Sequence, residues 1–170
     1  LKTPAGQPAR DYLARRQLTA QTVTRFGLGF APDTWDSLVR AMKALGYSEQ
    51  ELFDGGLVRH GRSGGVYDTF RNRLMFPVID VRGNVIGFSG RILGDGEPKY
   101  MNSPETIVFS KSHNLFALNL AKKSKCGYII LAEGNIDVAS LHQAGFDSAV
   151  ASLGTSLTPE QARLLSRYTS

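Results

Sequence analysis

Glu133 and Asp137 stand four residues apart on either side of a glycine step, Glu133-Gly134. The apolar run Tyr128-Ile129-Ile130-Leu131-Ala132 before them reads as a buried parallel strand. Ligand sites in open α/β sheets lie beyond the C-terminal ends of such strands. Two carboxylates placed there could hold Mg²⁺ through oxygens and waters. Asp137 also has a purely structural explanation, because an acidic side chain near a helix N-terminus stabilises that helix. The second group with chemical potential is basic: Arg71, Arg73, Arg91, Lys99 and Lys111. Two residues two apart share one face of a strand, so Arg71 and Arg73 are expected side by side. Paired guanidinium groups repel unless an anion lies between them, and their planar fork suits phosphate. Arg91 follows Gly87-Phe88-Ser89-Gly90, where small residues allow a backbone or ligand to come close. Lys99-Tyr100-Met101-Asn102 adds a cation, a ring and an amide, a mixture suited to a single strand of nucleic acid. A solvated charged face explains the same composition equally well.

Other chemistries find little support. His60, His113 and His142 are far apart, and Cys126 is the only cysteine, so no zinc spacing and no disulfide framework exist. No Gly-x-x-x-x-Gly-Lys phosphate loop occurs. No apolar run is long enough to span a membrane, and the start Leu1-Lys2-Thr3-Pro4 is not a signal peptide. A reducing cytoplasmic setting follows as the default expectation. The net charge of +5 is uneven: residues 1–125 carry +7 and residues 126–170 carry −2. A basic surface beside an acidic module points to a polyanion site next to a carboxylate or metal site.

The elements that must position these groups can be read coarsely. Residues 8–16 form a short helix. Thr19 caps the next one, although Thr22 stands where a capping box needs Glu or Gln. Trp35, Leu38, Val39, Met42 and Leu45 recur at helical spacing, and Trp35, Met42 and the phenylalanines of residues 1–56 are assigned to a core. Ser48 with Glu51 is a capping box, closed by Gly55-Gly56. Leu57-Val58, 74–79 and 85–93 read as strands of a mainly antiparallel sheet, with Arg82-Gly83-Asn84 as a tight turn. A helix is expected over 113–121. Beyond the exposed Lys122-Lys123-Ser124-Lys125, strand, helix, strand and helix alternate, with Thr158-Pro159 opening the last helix. The fold class is therefore α+β. A basic subdomain of helices and antiparallel sheet, 1–125, is followed by the first part of an α/β unit, 126–170, expected to be truncated.

Several motifs then line up with one family. Phe70-Arg71-Asn72-Arg73-Leu74-Met75-Phe76-Pro77 resembles a signature of bacterial DnaG-type primases. Val85-Ile86-Gly87-Phe88-Ser89-Gly90-Arg91 follows at the expected place. Pro98-Lys99-Tyr100-Met101-Asn102-Ser103-Pro104-Glu105-Thr106 matches almost residue for residue, as do Phe109 and Lys111. Ala132-Glu133-Gly134-Asn135-Ile136-Asp137-Val138 is similar to the first TOPRIM motif, with Asn135 where the family usually has Tyr. Ala149-Val150-Ala151-Ser152-Leu153-Gly154-Thr155-Ser156 resembles the primase segment after it.

The resemblance implies a nucleotidyltransferase that makes short RNA primers on single-stranded DNA for replication. It implies that Glu133 is catalytic, and that Glu133 and Asp137 are associated with Mg²⁺ or Mn²⁺. Arg71, Arg73, Arg91, Lys99, Tyr100, Asn102 and Lys111 would bind template, nucleoside triphosphates and RNA primer. It also implies what this chain would lack: an N-terminal zinc module, a later Asp-x-Asp motif with most metal ligands, and a C-terminal region that contacts the replicative helicase. The chain alone is then expected not to synthesise primers. Two alternatives stand beside this reading. One is another TOPRIM enzyme, a topoisomerase or nuclease. The other is a non-catalytic single-stranded nucleic-acid-binding module.

Overall fold

A computed structural model describes residues 1–62, 64–154 and 156–169. After a 3₁₀ turn at Pro4–Gly6 come helices α1 (Gln7–Arg15) and α2 (Ala20–Arg25). Thr19 caps α2 as expected, its hydroxyl accepting from Thr22 N. The missing half of the capping box is supplied from far along the chain: Gln143 Oε1 accepts from Thr19 N and from Thr22 Oγ1, each at 2.8 Å. A short strand β1 (Gly29–Ala31) leads to α3 (Ser37–Ala44) and α4 (Glu49–Asp54). The Ser48–Glu51 capping box is complete.

Next comes a small hairpin, β2 (Val58–His60) and β3 (Val66–Asp68), of which only the start of β2 was expected. The long strands β4 (Arg73–Ile79) and β5 (Val85–Ile92) follow, with β6 (Tyr100–Asn102) beside β5. They form an antiparallel sheet in the order β1-β4-β5-β6. At the β4–β5 turn, Asp80 Oδ1 accepts from Arg82 N and Asn84 N, which closes the hairpin over Gly83.

The expected helix over 113–121 is a strand and a turn of helix instead. β7 (Leu115–Phe116) is followed by Ala117 at φ 65° and by α5 (Leu118–Ala121). Left-handed backbone at Ala117 cannot continue a helix, so the apolar spacing there reflects two elements, not one face. Then come β8 (Ile130–Ala132), α6 (Asn135–Gln143), β9 (Ala149–Ser152) and α7 (Pro159–Leu165). The β8–β9 pair is parallel, as expected. β9 is the middle strand of a β7-β9-β8 sheet, and β7 runs antiparallel to it. β8 is therefore an edge strand among the described residues. Tyr128 and Leu131 are 53% and 46% exposed, which corrects the reading of 128–132 as a buried strand. Continuous apolar runs mark central strands only when both neighbours are present.

One core joins the layers. Phe26 stacks on Phe116, Phe116 meets Phe76 edge to face, and Ile136, Val138 and Ala149 pack into the same cluster. Met42 packs with Val39, Leu52 and Val58 in a smaller one. Trp35 and Phe53 are not core residues: they are 65% and 43% exposed. Trp35 precedes α3 instead of lying in it, so its place in the helical spacing is accidental.

Candidate nucleic-acid and metal cleft

Where the antiparallel sheet meets the α/β part, a cleft of about 710 Å³ opens. Ser89, Tyr100 and Asn102 line it from β5 and β6. Glu133, Gly134 and Asn135 line it from the turn into α6, and Ser152, Leu153 and Gly154 from the end of β9. This is the C-terminal side of the parallel pair, where such sheets bind ligands. Gly134 is the N-cap of α6, and Asp137 lies in that helix's first turn. A Cβ at Gly134 would lie 3.0 Å from Asp137 Oδ2 and 3.8 Å from the Tyr100 hydroxyl. The glycine thus lets a sheet phenol and a helix carboxylate close on the same point. Glu133 and Asp137 are both exposed there. Their oxygens are the donor type a hard divalent cation takes. Among the described residues, no group of three or more His, Cys, Asp or Glu side chains is arranged to hold a metal.

The basic residues divide by environment. Arg91 lies with its guanidinium carbon 4.3 Å from the Tyr12 ring centroid and 6.0 Å from that of Tyr100, donating to Ile92 O at 3.0 Å. Its Nε is buried without a hydrogen-bond partner. Partial burial pushes the Tyr100 phenol above its ordinary value, with Tyr12 adding and Arg91 opposing. Asn102 donates through Nδ2 to Leu153 O, which ties β6 to the far wall of the cleft. Lys99 is exposed at the start of this segment, and its ammonium has no partner among the described residues. Lys111 is half-buried, and its backbone N–H donates to Glu105 Oε1 at 2.9 Å.

Arg71 and Arg73 do not share a strand face. Asn72 at φ 49° breaks the extended chain between them, and β4 begins only at Arg73. Arg73 is 5% exposed and donates from Nη1 to Gly90 O at 3.1 Å and Pro98 O at 2.9 Å. Burial lowers its pKa, and Arg71 adds to that effect. Arg71 turns outward onto Trp35. The small residues before Arg91 also receive protein, not ligand. The Phe109 ring lies 3.0 Å from a Cβ built at Gly87, and Arg73 Cδ lies 2.9 Å from one at Gly90.

Two residues of this region escaped the sequence reading, Tyr12 and Arg16. Arg16 Nε donates to the Tyr12 hydroxyl at 3.1 Å. That bond holds the guanidinium above its ordinary value, and Asp137 acts in the same direction from across the cleft. Their i,i+4 spacing on α1 was the available signal. It could not reveal that Arg91 would stack on the same ring.

Comparisons with known proteins show the family to which the chain belongs. A family model described as the DNA primase catalytic core, N-terminal domain, matches residues 1–122, and a Toprim domain model matches residues 127–170. The DNA primase of Clostridium acetobutylicum is 52% identical over 163 residues, covering 95% of this chain and 27% of that protein. That of Deinococcus radiodurans is 47% identical, covering 94% and 28%. The chain thus spans about a quarter of the length of the curated relatives it matches. Among solved structures, the E. coli primase catalytic core superposes with a TM-score of 0.92 at 43% identity, covering 99% of this chain and 55% of that one. The RNA polymerase domain of Mycobacterium tuberculosis primase, in complex with a double-stranded DNA oligomer carrying a 6-nucleotide overhang, gives 0.93 at 40%, covering 99% and 54%. A DnaG primase catalytic domain bound to single-stranded DNA gives 0.89 at 43%, covering 99% and 55%.

Proposed function

Because the chain belongs to the DNA primase catalytic-core family, we propose that it is the template- and nucleotide-binding part of a DNA-directed RNA polymerase. That enzyme makes short RNA primers on single-stranded DNA. The observation that carries this reading is the cleft itself. Tyr100 from a basic sheet and Asp137 from the α/β part meet at Gly134, and Asn102 and Glu133 line the same cleft. A polyanion can then lie along one wall while its reacting end faces the carboxylates of the other.

Lys99, Arg71 and Lys111 take backbone phosphates of the template or primer. Arg91, held against Tyr12 with its Nε buried, offers the outer end of its guanidinium to a nucleotide phosphate. The Tyr100 ring carries a base, and Asn102 fixes the strand that presents it. Arg73 acts as a positioning residue, its guanidinium holding the carbonyl of Pro98 directly before Lys99 and Tyr100. Glu133 accepts a hydrogen bond from the primer 3′-hydroxyl and aligns its oxygen for attack. Glu133 and Asp137 would hold the divalent cation, Mg²⁺ or Mn²⁺, which when bound neutralises charge on the transferring phosphate. Nucleoside triphosphates are the second substrate. The replicative helicase is expected to be a partner of the longer protein only.

The two-carboxylate set favours a narrower second reading for the isolated chain, a single-strand-binding module that does not turn over. Fluorescence anisotropy of a labelled single-stranded DNA, titrated at about 50 and 200 mM salt, tests the shared part of both readings. Binding is expected to weaken with salt. Arg91→Ala and Lys99→Ala each should lower the slope of log affinity against log salt by about one. Arg163→Ala, an exposed cation of α7 that lines none of this cleft, should leave it unchanged. Equal slopes for all three variants would displace the proposed groove. A primer-synthesis assay on the same chain separates the two readings, and templated RNA would exclude the non-catalytic one.

A further inference from the structure

We infer that Gln161 and Glu105 are positioning residues for Lys111. Between them they fix the stretch of backbone from which its ammonium reaches a phosphate. This builds on the phosphate role proposed above for Lys111.

Residues 110–114 belong to no helix and no strand, so their backbone groups need partners from elsewhere. Ser110 O accepts from Asn114 Nδ2 at 2.8 Å, inside the loop. The next carbonyls are taken by the first turn of α7. Gln161 Nε2 donates to Lys111 O at 2.8 Å and to Asn114 O at 2.7 Å, and Thr158 Oγ1 donates to Ser112 O at 2.6 Å. On its other side, Lys111 N donates to Glu105 Oε1 at 2.9 Å. That bond is the main reason the Glu105 carboxyl is held below its ordinary value. Both backbone polar groups of Lys111 are thus bonded to side chains, one 6 and the other 50 positions away.

Gln161 is 1% exposed and is the only amide among the largest fully buried side chains. An apolar residue would fill that space without the cost of desolvating an amide. The amide is used in full instead, because its Oε1 also accepts from Thr158 N at 3.1 Å. The Lys111 ammonium, by contrast, makes no hydrogen bond or ion pair among the described residues. A lysine carries its charge on a long flexible stem, so the place of its backbone decides what the charge can reach. A backbone bonded on both sides with the charge left free suits an anion that comes from outside the chain. The two arms of this mount grow out of the cleft walls. Glu105 stands three residues after Asn102 and Gln161 four after Leu157, and Asn102 and Leu157 both line the cleft.

The test is a double-mutant cycle on the binding of a labelled oligo(dT), read by anisotropy over a range of salt concentrations. Lys111→Ala should lower the slope of log affinity against log salt by about one. Gln161→Met, which keeps the length and apolar bulk of the side chain, should lower both the slope and the affinity in the wild-type background. In the Lys111→Ala background it should change neither. Gln143→Ala, which loosens the α2–α6 join and touches no part of this loop, should leave the slope unchanged. Glu105 is exposed, so its variants avoid the core if Gln161→Met does not fold. Glu105→Ala should weaken binding relative to Glu105→Gln, which removes the same charge but keeps an acceptor for Lys111 N, and only while Lys111 is present. Equal losses from Gln161→Met with and without Lys111 overturn the mount, and so does equal binding by the two Glu105 variants. In either case the phosphate role of Lys111 stands if Lys111→Ala still lowers the slope. An unchanged slope for Lys111→Ala overturns that role, and the mount with it.

Discussion

Arg73 and His142 illustrate how a chemically capable side chain can serve the fold. Arg73 spends its guanidinium on the carbonyls of Gly90 and Pro98, so its charge reaches the site only through the segment it holds. His142 is 4% exposed, with Phe26 packed edge to face on its ring at 5.2 Å. Its Nε2 donates to Ala149 O at 2.8 Å, and Nδ1 is buried without a partner. Burial pushes its pKa below the ordinary imidazole value of 6.5, Arg25 adds to this, and Ala149 O and Asp147 oppose it. The folded state thus binds fewer protons than the unfolded state, so stability is lost as pH falls below 6.5. The carboxylates that are held low, Asp80, Glu51 and Glu105, act only in more acidic solution. Urea midpoints at pH 7.5 and 5.5 should therefore fall more for wild type than for His142→Gln, which keeps a donor for Ala149 O and does not titrate. Equal falls would show that His142 does not drive the loss.

At the scale of elements, the join between α6 and α2 is set by one amide. Gln143 accepts from Thr19 N and Thr22 Oγ1 and donates to Gln17 O at 2.9 Å. Gln143→Ala leaves the α2 cap half made and should cost about 1 kcal/mol, the lower end for three partly exposed hydrogen bonds. Gln143→Glu keeps both acceptor contacts, loses the donor, and should fall between the two in a urea melt. An unchanged midpoint for the alanine variant would mean that water replaces the amide without loss. This contact was invisible in the sequence because it links residues 124 positions apart. What was legible was local: the Ser48–Glu51 box, the Thr158-Pro159 start, the β4–β5 hairpin and the parallel β8–β9 pair all rest on short-range patterns. Leu115 to Ala121 misled because a strand and a helical turn can imitate one helical face. Trp35 misled because hydrophobicity says nothing about which side of a cap a ring will take. The carboxylates Glu133 and Asp137 were found by their place after a strand. Tyr12 and Arg16 were not, because only tertiary packing carries α1 to Arg91 and Asp137.

Over the whole molecule, the basic and acidic parts do not have separate cores. Phe26 and Phe76 from the first part meet Phe116, and Ile136, Val138 and Ala149 from the second complete the same cluster. β7 lends its edge to β9, which β8 covers on the other side. Unfolding should therefore be one transition, with Trp35 emission and far-UV circular dichroism giving the same midpoint in urea. Separate midpoints would show that the antiparallel sheet survives loss of the α/β part. β9, all but free of solvent through Ala149, Val150 and Ala151, has a further consequence for the chain's birth. It is made well after Phe26, Phe76 and Phe116, yet it is the strand on which the others of its sheet assemble, and α2 waits for Gln143 over the same interval. At about 5–20 residues per second that delay is on the order of ten seconds. During it, Phe26, Phe76 and Phe116 have emerged without their cover, and the nascent chain is at its most attractive to a chaperone.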